Sequence, residues 1–229
     1  LGRELGFGFI QVNTNGRRLA RDPGYVAALK ATGLASVFLQ FDGTEDAIYE
    51  HLRGRPLMAE KKAALAACAE HGLGVILVPT LVPGVNIHAI GDIVRFGLAH
   101  APTVRGVHFQ PVSYFGRTPT SGPTPAAPAD EDRITLPEVI RALAAQTGGL
   151  VAVEHFVPPG CENARCSFHG NFVQLADGRL HAWTHHQARA CCCKPKPAEE
   201  GAAEARHFVA HQWAAPSPNS TSASRGPSL

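Results

Sequence analysis

The feature that most constrains this chain is a series of short, continuously apolar runs separated by amphipathic stretches. The runs are FGFIQVN at 7–13, ASVFLQFD at 35–42, GVILVPTLV at 74–82 and VRGVHFQPV at 104–112. Each is apolar on nearly every residue rather than on alternate ones, which predicts strands covered on both faces in a parallel sheet. The stretches between them carry helix punctuation. In RDPGYVAALKATG, Asp22 is a cap, Pro23 suits the first turn and Gly33 a stop. TEDAIYEHLRG places Ile48 and Leu52 one turn apart, and a second helix over about 58–71 ends at Gly72. Asn86 is expected to cap a helix with Ile90, Ile93, Val94 and Leu98 on one face. A capping box from Thr135 to Glu138 opens a last helix ahead of Gly148 and Gly149. Four βα units result, and they suit either half of a (β/α) barrel or part of an open doubly wound sheet. LGRELG at the start reads as the end of a helix with no strand before it, so we expect the first strands to lie outside this chain.

Two segments break the alternation. Residues 113–134 form a proline-rich connection, too long for a routine turn, that is either a lid over the strand ends or a disordered insert. From about Cys191 the composition shifts toward Ser, Pro, Ala and Gly, and we expect a disordered tail over 191–229. The division expected is therefore α/β over 1–150, a Cys- and His-containing extension over 151–190, and the tail.

A formal charge of +2 with no clustered basic face argues against a nucleic-acid binder. No run reaches about 18 apolar residues, so no membrane-spanning helix is expected. The N-terminus lacks the layout of a signal peptide, so a cytoplasmic chain with reduced thiols is expected. Of the six cysteines, Cys68 lies in an alanine-rich helical pattern and is expected to be a small buried hydrophobe. The others fall late, at Cys161, Cys166 and the run Cys191, Cys192, Cys193.

In parallel α/β folds the reacting groups sit at the C-terminal ends of strands. Those ends present Asn13, Thr14 and Asn15, then Gln40 and Asp42, then Thr80, then Gln110. Asn15-Gly16 and Asp42-Gly43 each read as a turn. Gln40 and Gln110 lie within apolar runs, and a buried amide must be paired or meet a ligand, which points to a polar pocket.

The series QVNTNG, VFLQFDGTEDAIYEHLRG, a Lys-Lys helix, VILVPTLVPGVN, GVHFQPVSYFGR and RITLPEVIRAL with QTGG resembles the radical S-adenosylmethionine enzymes. Within them the resemblance runs closest to the tetraether-lipid synthases and the pterin-linked class D methyltransferases, over about residues 8–172. It implies a partial (β/α)₆ barrel of the radical S-adenosylmethionine type, truncated at its N-terminus. It also implies S-adenosylmethionine and a [4Fe-4S] cluster as cofactors, an electron donor such as ferredoxin or flavodoxin, and a small-molecule or lipid substrate. The whole enzyme would make a 5′-deoxyadenosyl radical for carbon–carbon bond formation or methylation at an unactivated carbon. By the same resemblance, Thr14, Asn15, Gln40 and Asp42 lie beside the cofactor, and Thr80 and Gln110 face the substrate side. Arg53, in the LRG turn, either holds a carboxylate or pins its loop.

The family's CxxxCxxC loop and its Gly-Gly-Glu segment do not occur here. Adjacent Cys191, Cys192 and Cys193 cannot easily converge on one cluster, so the chain alone is expected to be inactive. In EHFVPPGCENARCSFHGNF, Cys161 and Cys166 are candidate ligands of an auxiliary iron–sulfur or zinc site, with further ligands needed from His155, His169 or the 191 run; two free thiols are the bland alternative. Two other readings stay open: a divalent-metal hydrolase or isomerase with Asp42, His108 and Glu154 as ligands, and a non-catalytic zinc-binding interaction module.

Overall fold

The structure is a computed structural model that describes residues 1–114, 129–158, 166–184 and 197–213. The chain opens on turns, with the Leu5 amide donating to the Leu1 carbonyl, where LGRELG was expected to end a helix. Strand β1 (Gln11–Thr14) leads into α1 (Arg17–Arg21) and α2 (Pro23–Ala31). Then come β2 (Ser36–Gln40), α3 (Asp46–Arg53), α4 (Met58–Glu70), β3 (Gly74–Val78), β4 (Thr80–Leu81) and α5 (Ile90–Ala99). After these follow β5 (Val104–Val107), β6 (Gln110–Pro111), α6 (Leu136–Gln146), β7 (Phe172–Gln174), β8 (Leu180–Ala182) and α7 (Ala198–Trp213).

The four expected βα units form. The sheet order is β1-β2-β3-β5, parallel throughout, with Thr14 beside Leu39 and Gln40 beside Val78. Short β4 and β6 pair in parallel beyond it, Thr80 beside Gln110, and the ladder is carried across the gap by bonds such as His108 N to Leu77 O. No sheet is closed among the described residues.

Side chains at alternate strand positions, Val37 and Leu39, Val75 and Leu77, join one core with Leu19 of α1, Val26 of α2, Tyr49 of α3, Leu65 and Cys68 of α4 and Ile93 of α5. Since strand side chains alternate between faces, these five helices lie on one face of the sheet. A doubly wound sheet would divide them between two faces. A second core joins Leu81, Ile90, Val139 and Leu143 to Val151 and Phe156.

Local chemistry explains the helix ends. The Tyr25 amide donates to Asp22 Oδ1, and the Thr135 amide to Glu138 Oε2, as the sequence predicts. Asp46 accepts from the amides of Leu57 and Met58, so the first turn of α3 caps α4. Helix α1 was not anticipated, because RRLAR is too short to show a period.

Two outcomes concern the ends of the chain. Part of the expected tail, 198–213, forms α7, whose Trp213 ring lies 5.1 Å from that of Phe38 while Arg105 Nε donates to Gln212 O. Within 151–190, β7 and β8 make an antiparallel hairpin over Phe156 and Phe168. The 115–128 part of the proline-rich connection, Cys161, Cys191–Cys193 and the tail after 213 lie outside the described residues.

Candidate functional site

The strand ends are tied together by one buried group. Asp42 follows β2, is fully buried, and lies between α3 and the start of β4. Arg53 closes on it as a fork, with Nε 2.9 Å from Oδ2 and Nη2 3.0 Å from Oδ1. Gln40 Nε2 donates to Oδ2, and the Thr80 amide donates to Oδ1 at 3.3 Å. This fork–carboxylate geometry is the strongest pairing that an arginine makes. The Asp42 carboxylate holds the Arg53 guanidinium above the usual arginine range. Of the two alternatives for Arg53, the structure shows the loop-pinning one, made through the Asp42 carboxylate.

Asn86 extends the network. Expected as a helix cap, it makes no cap bond. Its Nδ2 instead donates to the carbonyls of Asp42 and Thr80, and its Oδ1 accepts from the Val82 amide. Burial is complete, and all three bonds are to backbone, so Asn86 stitches the loop after β2 to the loop after β3. Tyr49 adds a bond from its hydroxyl to the Gly43 carbonyl at 2.8 Å, and burial pushes its pKa up.

At the end of β1 the turn is made by Gly16 in the left-handed region, φ 81°. Thr14 Oγ1 accepts from the Gly16 amide and Asn15 Oδ1 from the Arg17 amide, so the turn reading of Asn15-Gly16 holds. These bonds leave the hydroxyl proton of Thr14 and the Nδ2 of Asn15 without a protein partner among the described residues. Beneath the turn Lys61, 1% exposed, donates to the Asn15 carbonyl at 2.7 Å, and burial pushes its pKa down to about 8. The sequence reading noted Lys61 only as half of a Lys-Lys pair.

Thr14, Asn15, Gln40, Asp42, Thr80 and Gln110 thus all lie at the C-terminal ends of neighbouring parallel strands. They are not equivalent. Gln40 and Thr80 are half-buried, Asn15 and Gln110 exposed. Gln110 was expected inside an apolar run; it is exposed, on a two-residue strand that pairs with β4 alone among the described residues. Asp42 differs from the others in having no exposed surface and a carboxylate already engaged by Arg53, Gln40 and the Thr80 amide. Chemically the rim offers neutral amides and hydroxyls plus the half-exposed Arg53, which suits binding and orientation.

Of the expected metal ligands, Cys161 and Cys191–Cys193 lie outside the described residues. Cys166 is exposed, Cys68 is buried within the core, and no three His, Cys, Asp or Glu side chains among the described residues come together to hold an ion. These thiols therefore do not fit a [4Fe-4S] cluster. His155 Nδ1 accepts from the Ala152 amide, and the His169 backbone pairs with that of Val157. The divalent-metal alternative finds no support, since Asp42 is held by Arg53 and no group forms with His108 and Glu154. No helix among the described residues is long and apolar enough to cross a membrane.

Comparison with known proteins gives one informative likeness. Over 159 residues, 69% of this chain, it is 38% identical to the 7,8-dihydro-6-hydroxymethylpterin dimethyltransferase of Methanocaldococcus jannaschii. The chain spans 30% of the length of that relative. No family model matches the sequence.

Proposed function

We propose that this chain is part of a radical S-adenosylmethionine enzyme that methylates a pterin-type small molecule, and that its sheet is a stretch of partial (β/α) barrel wall. The observation that carries the reading is the 38% identity to a pterin dimethyltransferase over most of the chain. Packing of five successive helices on one sheet face supports the barrel, and the polar strand ends support a ligand at that rim. Between the two substrate classes of the resembling subgroup, the likeness favours the pterin over the lipid.

When bound, S-adenosylmethionine supplies the methyl group or the carbon radical for such a transfer. Thr14 and Asn15 would hold its polar portions through the hydroxyl proton and Nδ2 that the turn leaves over, with Gln40 contributing its remaining amide oxygen. Thr80 and Gln110 would face the substrate. Asp42 is a positioning residue: it aims Gln40 and Arg53 and contacts neither ligand. The described thiols do not fit the cluster. Its ligands and the docking place of a ferredoxin- or flavodoxin-type donor would come from the remainder of a longer enzyme, and an auxiliary site at Cys161 and Cys166 would need ligands outside the described residues.

The test is a chimera in which the matched segment of the M. jannaschii enzyme is replaced by this chain's. Methylated pterin, detected by mass spectrometry, is the expected product, with yield reduced at least about tenfold by Gln40→Ala. A chimera that folds and binds its cluster but yields no methylated pterin would sink the reading.

A further inference from the structure

We infer that Asn15 and the arginines of α1, beside the start of α4, form an oxyanion site that takes a phosphate group of a small-molecule ligand. The inference stands apart from the proposed methyl transfer. It begins with charge. Arg17, Arg18 and Arg21 line one shallow hollow with Asn15, and Arg55, from the loop before α4, joins them through Glu60, which Arg17 and Arg21 also contact. The carboxylates facing these four guanidiniums are Glu60 and Asp22. Two positive charges are left over, equal to the formal net charge of the whole chain.

Glu60 shows what the cluster can grip. Arg21 Nη2 donates to its Oε1 at 2.8 Å, Arg55 pairs with the same oxygen, and Arg17 Nε lies 3.9 Å from Oε2. The Arg55 bond, followed by that of Arg21, holds the Glu60 carboxyl below its usual range. One internal monoanion has drawn three arginines together without neutralising them. A second monoanion would still leave the cluster positive. A phosphate, carrying about −1.5 to −2 charge, matches the excess, and its oxygens accept the paired N–H bonds that guanidiniums present.

The place is fixed by packing. Gly16 lets the chain turn into α1 with the backbone pressed on Leu39 and Ala64, and buried Leu19 seats α1 against α4. Lys61 donates to the Asn15 carbonyl, which ties the turn carrying Asn15 to α4. Arg18 stacks on Tyr25 at 3.8 Å and pairs with Asp22, which leaves Arg17 and Arg21, each about half exposed, as the arms that would close on a ligand. The hollow adjoins Asn15 on the rim already described, so a phosphorylated molecule lying across the strand ends would reach it.

Calorimetric titration of the purified 229-residue chain with inorganic phosphate, pyrophosphate and acetate at constant ionic strength tests this. Phosphate and pyrophosphate should bind at least about tenfold more tightly than acetate. Arg17→Ala with Arg21→Ala should weaken phosphate at least about tenfold, while Arg141→Ala, on α6, leaves it unchanged. Glu60→Gln, by removing the internal competitor, should tighten it several-fold. Should the double variant fail to fold by circular dichroism, Arg17→Lys with Arg21→Lys keeps the charge, removes the forks and should still lose several-fold. Equal affinity for phosphate and acetate, insensitivity to the arginine changes, or weaker binding in Glu60→Gln would each overturn the site.

Discussion

Replacing Arg53 by methionine removes the fork from Asp42 while keeping most of the apolar stem. The carboxylate left behind has no exposed surface and retains the Gln40 amide and the Thr80 N–H as donors. Removing one partner of a fully buried ion pair costs about 3–5 kcal/mol. The Arg53 side chain is 36% exposed, so water can partly replace it, and the expected loss is about 2–3 kcal/mol. For a chain of this size that lowers the melting temperature by about 5–10 °C. Chemical denaturation followed by circular dichroism measures the loss, and hydrogen exchange reports whether the amides of 42–49 open first. Arg53→Lys should fall between, because an ammonium cannot make the fork. Combining Arg53→Met with Asp42→Asn should cost less than the two single losses together by at least about 1 kcal/mol. Stability of Arg53→Met within about 0.5 kcal/mol of wild type, or strict additivity in the double variant, would refute the claim that this pair anchors the rim.

Lys61 gives a pH signature: its folded pKa of about 8 lies below the ordinary lysine value of 10.5, so between those values the unfolded chain holds a proton that the folded chain has lost. Stability should therefore rise from pH 8 to 10.5, by on the order of 1–3 kcal/mol relative to Lys61→Met, and a flat difference in melting profiles would refute it. Cys68 is 1% exposed and burial pushes its thiol up to about 11, so iodoacetamide should label it only in denaturant while exposed Cys166 reacts in the native protein, as read by peptide mass spectrometry. Gly16→Ala places a Cβ 2.5 Å from Leu39 Cδ1 at φ 81° and should cost about 2–4 kcal/mol by denaturation; a neutral effect would mean that α1 is not seated as described.

The strands were legible because burial of both faces leaves a continuous apolar run, and β2 and β3 fall inside their predicted segments. The first strand is shorter than its run: Phe7 is largely exposed, so its apolar character marked no core position. Capping at Asp22 and Thr135 was legible because the bonds span three residues. Asn86 misled for the complementary reason. Its position before a helix suggested a cap bond, but its amide bonds backward, to Thr80 and Val82 six and four residues before it and to Asp42 44 residues before it, a separation that no short window reveals. The pairing of Asp42 with Arg53 spans 11 residues across a helix, and the two alternatives read for Arg53 named no partner. The basic hollow escaped for a similar reason: Arg17, Arg18 and Arg21 lie in one stretch, Arg55 and Glu60 in another, and only the packing of α1 on α4 joins them.

The rim therefore divides by what each polar group already does. Asp42, Asn86, Lys61 and Tyr49 are buried and bonded inward, so they hold the loops after β1, β2 and β3 in one arrangement. Asn15, Gln110 and the arginines of α1 keep exposed donors, and Gln40 and Thr80 lie between the two groups. The same separation underlies preorganised sites, in which an inner set of bonds fixes the groups that meet the ligand. Changing an inner residue should loosen several outer ones together, whereas changing an outer residue should remove one contact and leave the melting temperature almost unmoved. Gln110→Ala is the sharpest case of the second kind: an exposed edge residue should change stability by no more than about 0.5 kcal/mol. A loss as large as that expected for Arg53→Met would place Gln110 among the supports of the fold and remove it from the ligand-facing set.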